Sequence, residues 1–396
     1  MKRSCLLIIG FLILLATEIL RVYFIMPFPG SQKADTIQIA YFLNNYIWWF
    51  RVLGLLLFVP AMIYIFRTSR WWKKFLLAFF VLLYATVFYA FNFKFLADKM
   101  FYQPKHKILA TVAANKVDST KLVIGVEVNG QAKAYPVEII GYHHQITDTI
   151  GGEPLMVTYC SVCRTGRVFS PFVNGRLEKF RLVGMDHFNA MFEDATTKSW
   201  WRQATGKAVA GKLKGTALKE IESAQMSLGA WIRKYPNTTI LQPDTLFANQ
   251  YKGLEGFDEG TIKSGLEKRD SASWKFKSWV VGVEIAGHAK AYDWNELVKH
   301  RVINDTFQNT ALVLVLENDN HSFHVWNRNV NDELLQFTFD AASQSLKDTT
   351  TNSVWNMNGE CIEGVLKGNH LSAIQAYQEF WHSWEGFHRG TGKYKN

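Results

Sequence analysis

Two stretches of the sequence align without gaps: Leu122–Thr149, LVIGVEVNGQAKAYPVEIIGYHHQITDT, and Trp279–Thr306, WVVGVEIAGHAKAYDWNELVKHRVINDT. Of the 28 aligned positions, 13 are identical. The similarity resumes at Asp194–Trp201 and Asp348–Trp355, and then at two Gly-x-Leu-Lys-Gly segments. Because self-similarity at a fixed offset marks a repeated structural unit, we expect a domain that is duplicated in tandem.

The repeated segments predict a mostly β structure with a few short helices. In the first copy, Val123–Val128 and Gln131–Tyr135 flank the turn dipeptide Asn129-Gly130, which is typical of a tight β-hairpin. Helical periodicity is convincing only near residues 227–234 and 373–384. The predicted fold class is therefore α+β, with copies over about 105–245 and 260–396 that follow a membrane anchor over 1–100.

Three apolar runs form that anchor, at Cys5–Met26, Ile47–Phe66 and Phe75–Phe91. Each is close to the ~20 residues that a helix needs to cross the hydrocarbon of a bilayer, so we predict three transmembrane helices. Glu18, Arg21 and Arg51 interrupt the runs. Charged groups at that depth are expected to pair or to mark a site, and we expect pairing.

Basic residues predict the orientation of the anchor. Lys2 and Arg3 precede the first run, and four Lys or Arg residues fill the 67–74 loop between the second and third runs. Since cytoplasmic loops carry an excess of Lys and Arg, both segments are predicted to be cytoplasmic. The prediction is a multi-pass protein of the cell (inner) membrane whose C-terminal soluble part is extracytoplasmic.

The net charge of +10 would suit nucleic acid or an anionic membrane. Part of the excess lies beside the apolar runs, where membrane topology explains it, and no basic-aromatic module accompanies the rest. The partner we predict is therefore the membrane and not nucleic acid, while no protein partner follows from the sequence.

The most specific local feature is Tyr159–Gly166, YCSVCRTG, which holds Cys160 and Cys163 in a Cys-x-x-Cys turn. Such a turn can ligate one metal ion through both sulfurs, or it can close as a disulfide. Four Cys are too few for a disulfide scaffold. Three interpretations stay open: a Zn or Cu site, an extracytoplasmic thiol–disulfide oxidoreductase, and a scaffold module with a structural disulfide.

A metal at the Cys pair would need further ligands, because no second Cys pair occurs. His143 and His187 are the histidines predicted to supply them. His143 precedes the predicted strand that leads into Cys160, whereas His187 lies in a segment without a counterpart in the second copy. The second copy has LENDN at 316–320 in place of the Cys pair, so the two copies are expected to differ in chemistry.

Three other side chains are candidates for ligand binding. Arg164 follows the Cys pair and could bind an anion there, although a solvated surface position is the more general expectation for Arg164 and Arg167. Trp201 adjoins polar residues and could line a groove, and Asp186 precedes His187. No Gly-x-Gly-x-x-Gly, Walker A, Gly-x-Ser-x-Gly or His-Glu-x-x-His motif occurs, and no enzyme class follows.

Taken in order, these motifs resemble a bacterial and archaeal family, the domain of unknown function 3179. The shared features are the His143–Asp148 stretch, the Gly151–Pro154 turn, the Val157–Cys163 segment, and the blocks at Ser199–Ala208 and Gly211–Gly215. The resemblance covers about residues 120–245, and the second copy extends it to the end of the sequence. It implies no settled activity. It supports the domain assignment and implies that Cys160 and Cys163 matter.

The chain departs from the pattern of that family at two places. Ser161 stands where the family usually has Pro, and Arg164-Thr165 stands where Gly-Ser or Gly-Thr is common. These departures indicate a Cys turn that is less like a zinc knuckle.

Overall fold

The computed structural model describes residues 3–395. They fall into two compact units, residues 3–102 with 176–217 and residues 103–175 with 218–395. The domain bounds of 105–245 and 260–396 remain a prediction. The α-helices of the described residues are α1 Arg3–Tyr23, α2 Ile37–Asn45, α3 Ile47–Thr68, α4 Trp71–Phe93, α5 Ala97–Met100, α6 Val137–His143, α7 Leu228–Lys234, α8 Ala248–Lys252, α9 Trp294–His300 and α10 Trp381–Phe387.

Strands make up most of the regular structure after residue 108. The first fourteen are β1 Leu109–Thr111, β2 Leu122–Val128, β3 Gln131–Pro136, β4 Gln145–Ile150, β5 Glu153–Cys160, β6 Thr165–Phe169, β7 Phe172–Val173, β8 Arg176–Leu177, β9 Phe180–Asp186, β10 Asn189–Asp194, β11 Trp200–Arg202, β12 Ala208–Ala210, β13 Ala224–Ser227 and β14 Thr239–Leu241. The others are β15 Trp279–Ile285, β16 His288–Asp293, β17 Val302–Phe307, β18 Thr310–Leu316, β19 Phe323–Asn327, β20 Asn329–Val330, β21 Glu333–Leu334, β22 Phe337–Asp340, β23 Ser345–Asp348, β24 Val354–Trp355, β25 Cys361–Glu363, β26 Ala376–Phe380 and β27 Gly392–Lys393.

The mixed helix and strand content agrees with the α+β prediction, and α1, α3 and α4 are long and apolar enough to cross a membrane. Helices α1 and α3 approach closely, since a Cβ on Gly10 would lie 2.7 Å from the Gly54 carbonyl oxygen. As predicted, the charged residues of these helices pair. Glu18 is fully buried, and Arg51 donates to both of its carboxylate oxygens, at 2.6 and 3.0 Å.

The second unit contains two sheets that share an arrangement of four strands, β14-β3-β2-β13 in the first and β27-β16-β15-β26 in the second, while β1 has no counterpart in the second sheet. One has the order β1-β14-β3-β2-β13 and the other the order β26-β15-β16-β27. In both, a two-residue turn joins the central antiparallel hairpin, at Asn129-Gly130 and at Ala286-Gly287. All four turn residues have positive φ, as the favoured hairpin turn requires. The hairpin predicted from Asn-Gly is therefore confirmed.

The predicted helix over 373–384 is wrong in its first part. Residues 376–380 form the strand β26, which pairs with β15 from Trp279↔Phe380 to Val283↔Ala376, and only Trp381–Phe387 is helical. In Ala-Tyr-Gln-Glu-Phe the apolar residues recur at helical spacing and do not alternate. Pairing with β15 therefore overrides the local pattern.

A side-chain amide from the second half of the unit closes a strand edge of the first half. Gln375 Oε1 accepts from the Ser223 amide at 3.1 Å, and Gln375 Nε2 donates to the Ser223 carbonyl at 3.0 Å. One glutamine thus makes both hydrogen bonds that a neighbouring strand residue would make at the start of β13.

Each sheet packs a tryptophan of the following helix directly on a glycine of its central strand. A Cβ on Gly125 would lie 2.3 Å from the Trp231 ring, and a Cβ on Gly282 would lie 2.2 Å from the Trp384 ring. Both tryptophans are buried. The absence of a side chain at these glycines is therefore required for the core to close.

We predict that Gly125→Ala destabilises the protein by about 1–3 kcal/mol, because overpacking forces the Trp231 ring out of its position. The measurement is denaturant unfolding of the full-length protein followed by tryptophan fluorescence. The control is Gly265→Ala, since a Cβ there meets no heavy atom within 4 Å. Equal stability of the two variants would contradict the packing argument.

Candidate functional site

The Cys-x-x-Cys turn connects β5 to β6. Cys160 ends β5 and pairs with Thr165, the first residue of β6. The Cys163 amide donates to the Cys160 carbonyl at 3.2 Å, and Arg164 completes the turn with a positive φ of 54°. This geometry brings the two cysteine side chains into hydrogen-bond contact, and both are fully buried thiols.

A histidine from the far end of the chain joins the two cysteines. The His382 side chain lies near enough to Cys163 to lower the pKa of its thiol, although burial raises that pKa more. Its Nδ1 also lies 3.0 Å from the Phe276 carbonyl oxygen. Because a carbonyl can only accept, Nδ1 carries the proton of the neutral ring, and Nε2 keeps its lone pair.

Backbone hydrogen bonds hold His382 in this place. The Phe380 amide donates to the Cys163 carbonyl at 2.9 Å, and the Trp381 amide donates to the Ser278 carbonyl at 2.8 Å. The segment that joins β26 to α10 is therefore fixed to the Cys turn. Sequence reasoning missed His382, and no local motif around it would have indicated the site.

Burial disfavours the charged forms of the groups at this site. Burial raises the pKa of the Cys163 thiol well above its ordinary value, and the hydrogen bond with Cys160 raises this pKa further. Lys277 lies near both sulfurs, and its Nζ donates to the Val162 carbonyl at 2.6 Å. Burial lowers the pKa of Lys277. Two soft sulfur donors and one imidazole are groups that can ligate a metal ion, and the nearby amine can exchange protons with the thiols.

Arg164 is fully buried, which corrects the expectation of a solvated surface position. Its guanidinium donates to the carbonyls of Phe257 and Asp258 and to the side chain of Gln378, at 2.8 to 3.0 Å. The same group lies 3.7 Å from the centre of the Trp279 ring. These contacts stabilise the turn. Burial lowers the pKa of Arg164.

Arg167 is also buried, and it pairs with a carboxylate of the second half. Its Nη2 donates to Glu379 Oε1 at 2.8 Å, and its guanidinium carbon lies 3.1 Å from the centre of the Tyr377 ring. Glu379 is fully buried and accepts as well from Thr165 and Ser383, at 2.7 and 2.8 Å. This ion pair connects β6 to β26, one strand away from the cysteines.

His143 and His144 end the helix α6 beside β5. His143 Nε2 is hydrogen-bonded to the Tyr251 hydroxyl at 2.8 Å, and its ring contacts Tyr142 and Phe247. His144 adopts the left-handed conformation, with φ of 60°, and its Nδ1 donates to the Tyr159 carbonyl at 3.0 Å. The Tyr159 amide donates back to the His144 carbonyl at 3.0 Å. These two hydrogen bonds fix Tyr159, the residue that precedes Cys160.

The other predicted site residues lie in the first unit. Asp186 is buried, its Oδ1 lies 2.6 Å from His187 Nδ1, and its Oδ2 accepts from Arg202 Nε at 2.8 Å. Burial opposes ionisation of Asp186, yet the bonds to His187 and Arg202 lower its pKa, and the bond to Asp186 raises the pKa of His187. Trp201 is buried, and its Nε1 donates to Asp194 at 3.0 Å, so its ring is part of a core.

Cys160, Cys163, His143 and Arg164 thus belong to one unit, and Asp186, His187 and Trp201 to the other. Among residues 3–395, no three His, Cys, Asp or Glu side chains form a ready metal-binding group. The contact that the structure adds to the predicted set is the one between Cys163 and His382.

We predict that Arg167→Met lowers the free energy of unfolding by about 3–5 kcal/mol, because it leaves the Glu379 carboxylate buried without its cation. Lys121→Met is the matched control. Lys121 pairs with Glu138 at 3.0 Å, but both side chains are about one-third exposed, and such pairs contribute less than ~1 kcal/mol. Denaturant unfolding of both variants gives the comparison. Similar losses of unfolding free energy would show that the buried Arg167–Glu379 pair contributes no more stability than an exposed pair.

Stability should also depend on pH through His144. Burial lowers the pKa of His144 to about 4, whereas a histidine in the unfolded chain titrates near ~6.5. Below ~6.5 the unfolded state takes up a proton that the folded state refuses, so stability is full above that pH and falls as the pH drops towards ~4. The loss from this residue is roughly 3 kcal/mol.

The test compares denaturation midpoints between pH 7 and ~4 for the wild type, His144→Asn and His106→Asn. Asn tolerates the left-handed conformation but does not titrate, so His144→Asn should flatten the dependence. His106 is exposed, and its variant should follow the wild type. Parallel curves for all three proteins would rule out His144 as the source.

Comparisons with known proteins give a family and nothing finer. A family model described as "Protein of unknown function (DUF3179)" matches residues 103–391. No curated protein and no solved structure matches the chain. The matched region is more than half of the sequence and includes the Cys turn, Arg167, Glu379 and His382. The chain therefore belongs to the DUF3179 family.

Proposed function

We propose that this protein is a membrane-anchored metal-binding protein whose soluble part binds one soft metal ion, Zn²⁺ or Cu⁺, through Cys160 and Cys163. His382 is the third donor in this proposal. The observation that carries it is that two fully buried cysteines contact each other while the partly buried His382 lies beside Cys163.

The spacing of the sulfurs suits this chemistry. Two thiolates that each lie ~2.3 Å from one ion at a tetrahedral angle are separated by roughly 3.8 Å, which is a distance at which two thiols contact each other. Thiolate and imidazole donors favour Zn²⁺ and Cu⁺ over hard cations. A fourth position stays open for a small ligand, which could reach the ion from the side of the partly exposed His382.

Proton release accompanies binding in this proposal. Because the pKa of Cys163 is raised, its thiol must lose a proton to the solvent before the sulfur can ligate. Affinity therefore rises with pH. The cationic side chain of Lys277 near both sulfurs favours the thiolates once they form.

The two halves of the soluble part are, in the same proposal, diverged copies of one unit, and the second copy supplies His382 to the cysteines of the first. Support comes from the matching strand orders and hairpin registers. It also comes from Asp148 and Asp305, which each accept from a Tyr hydroxyl and a Lys ammonium of the preceding hairpin.

The proposal places the soluble part outside the cytoplasm, with α1, α3 and α4 as membrane-spanning helices. The basic residues before α1 and between α3 and α4 support this orientation. A periplasmic-type reporter fused after residue 396 should be active and a cytoplasmic-type reporter inactive. The reverse pattern would overturn the placement.

A thiol–disulfide function is the second candidate, because the two thiols already contact each other. In that reaction Cys160 and Cys163 would form a disulfide while a small disulfide compound is reduced to two thiols. Their complete burial disfavours exchange with a protein substrate.

The deciding experiment measures metal content and thiols on the same sample of full-length, detergent-purified protein kept reduced. We expect about one Zn or Cu per chain, retained in Cys361→Ser, strongly reduced in His382→Gln and lost in Cys163→Ser. Cys361 is a buried cysteine of the second half, so its variant controls for general effects of removing a thiol.

Two outcomes would overturn the metal proposal. A metal-free protein whose Cys160–Cys163 disulfide forms and breaks with a small thiol reagent would support the redox function. A disulfide that resists reduction until the protein unfolds would support a structural staple.

A further inference from the structure

We propose that the groove between α3 and α4 binds one anionic phospholipid, with an acyl chain in the groove and the phosphate on Arg67 and Lys74. This inference rests on the proposed membrane anchoring but not on the metal site. Three observations support it: the apolar shape of the groove, its length along α4 and the charges at one end.

The groove is an almost wholly apolar space of about 560 Å³ on the surface of the helices. Met62 and Phe66 of α3 form one wall, and Leu77, Val81 and Ala85 of α4 form the other. Apart from Leu77, which is buried against α1 and α3, these side chains are partly or fully exposed. Helix α4 as a whole has few buried residues, so this face is open to whatever surrounds it.

The length of the groove along α4 matches the hydrocarbon thickness of one leaflet. It runs along α4 from Lys74 to Ala85, which is roughly 16 Å of helix at 1.5 Å per residue. Half of the hydrocarbon thickness is roughly 15 Å. An acyl chain from a single leaflet fills such a space, whereas a transmembrane helix would need a seam along the full length of α4.

Positive charge is concentrated at the mouth. Arg67 and Lys74 line the groove at the end where α3 meets α4, and Lys74 Nζ lies 5.1 Å from the centre of the Phe66 ring. The sequence from 62 to 96 contains no Asp or Glu, so no side chain in these two helices neutralises the pair. Basic pockets between helices at a membrane surface suit anionic headgroups.

The charges also argue against a second copy of the chain as the occupant. A copy inserted with the same orientation would bring its own 67–74 loop, with four basic residues, to the same side of the membrane. Like charges placed together across an interface cost free energy. An anionic lipid removes that repulsion, while a zwitterionic lipid compensates it only in part.

The experiment is native mass spectrometry of the full chain in detergent, titrated separately with phosphatidylglycerol and with phosphatidylcholine of the same acyl chains. We expect one tightly bound phosphatidylglycerol per chain and weaker binding of phosphatidylcholine. The double variant Arg67→Gln/Lys74→Gln should bind phosphatidylglycerol roughly ten- to thirtyfold more weakly.

The matched control is Arg70→Gln/Lys73→Gln, which removes two charges from the same loop at residues outside the groove lining. It should change the affinity for phosphatidylglycerol by less than about threefold. Equal weakening in both double variants would show general attraction to the basic loop and would overturn the site. Equal binding of the two lipids, or a dimer in place of a lipid adduct, would overturn it as well.

Alkaline carbonate extraction of cell membranes separates this failure from failure of the anchoring. If the wild type and both variants resist extraction but lipid selectivity is absent, the lipid site is wrong and the anchor stands. If the wild type is extracted, the membrane anchoring on which the site depends is wrong.

Discussion

The hydrogen bond from the Phe380 amide to the Cys163 carbonyl is the contact on which the candidate site depends. It attaches the end of β26 to the Cys turn and so brings His382 to the sulfurs. The buried Arg167–Glu379 pair fixes the same two segments one strand further on. Removal of either partner of that pair would leave a charge in a low-dielectric interior, so the two halves are held in one register by electrostatics as well as by packing.

Much of the fold could be predicted from the sequence because the signals are local. The Asn129-Gly130 dipeptide specifies its hairpin through φ, and the three apolar runs are long enough to indicate their helices within a few residues of the observed bounds. The segment 373–384 was harder. Its apolar spacing fits a helix, but pairing with the edge of β15 makes its middle part a strand.

The candidate site was only half predictable. The Cys pair is local, and its close approach follows from the two-residue spacing between Cys160 and Cys163. His382 reaches it only through tertiary structure, so neither spacing nor the alignment of the two similar stretches could indicate it. The arginines illustrate the same limit. Arg164 and Arg167 were expected at the surface, but acceptors from distant segments, namely Phe257, Asp258, Gln378 and Glu379, make their burial possible.

The hydrogen bonds between Gln375 and Ser223 have a consequence for any truncation of the chain. Unpaired backbone groups at the edge of a sheet can pair with another chain, and here a side chain of the second half occupies the backbone groups of Ser223, just before the edge strand β13. A fragment that ends before residue 260 would leave these two backbone groups exposed and would also lack His382. Aggregation is therefore expected to be more of a hazard for the cysteine-bearing half alone than for the full-length protein.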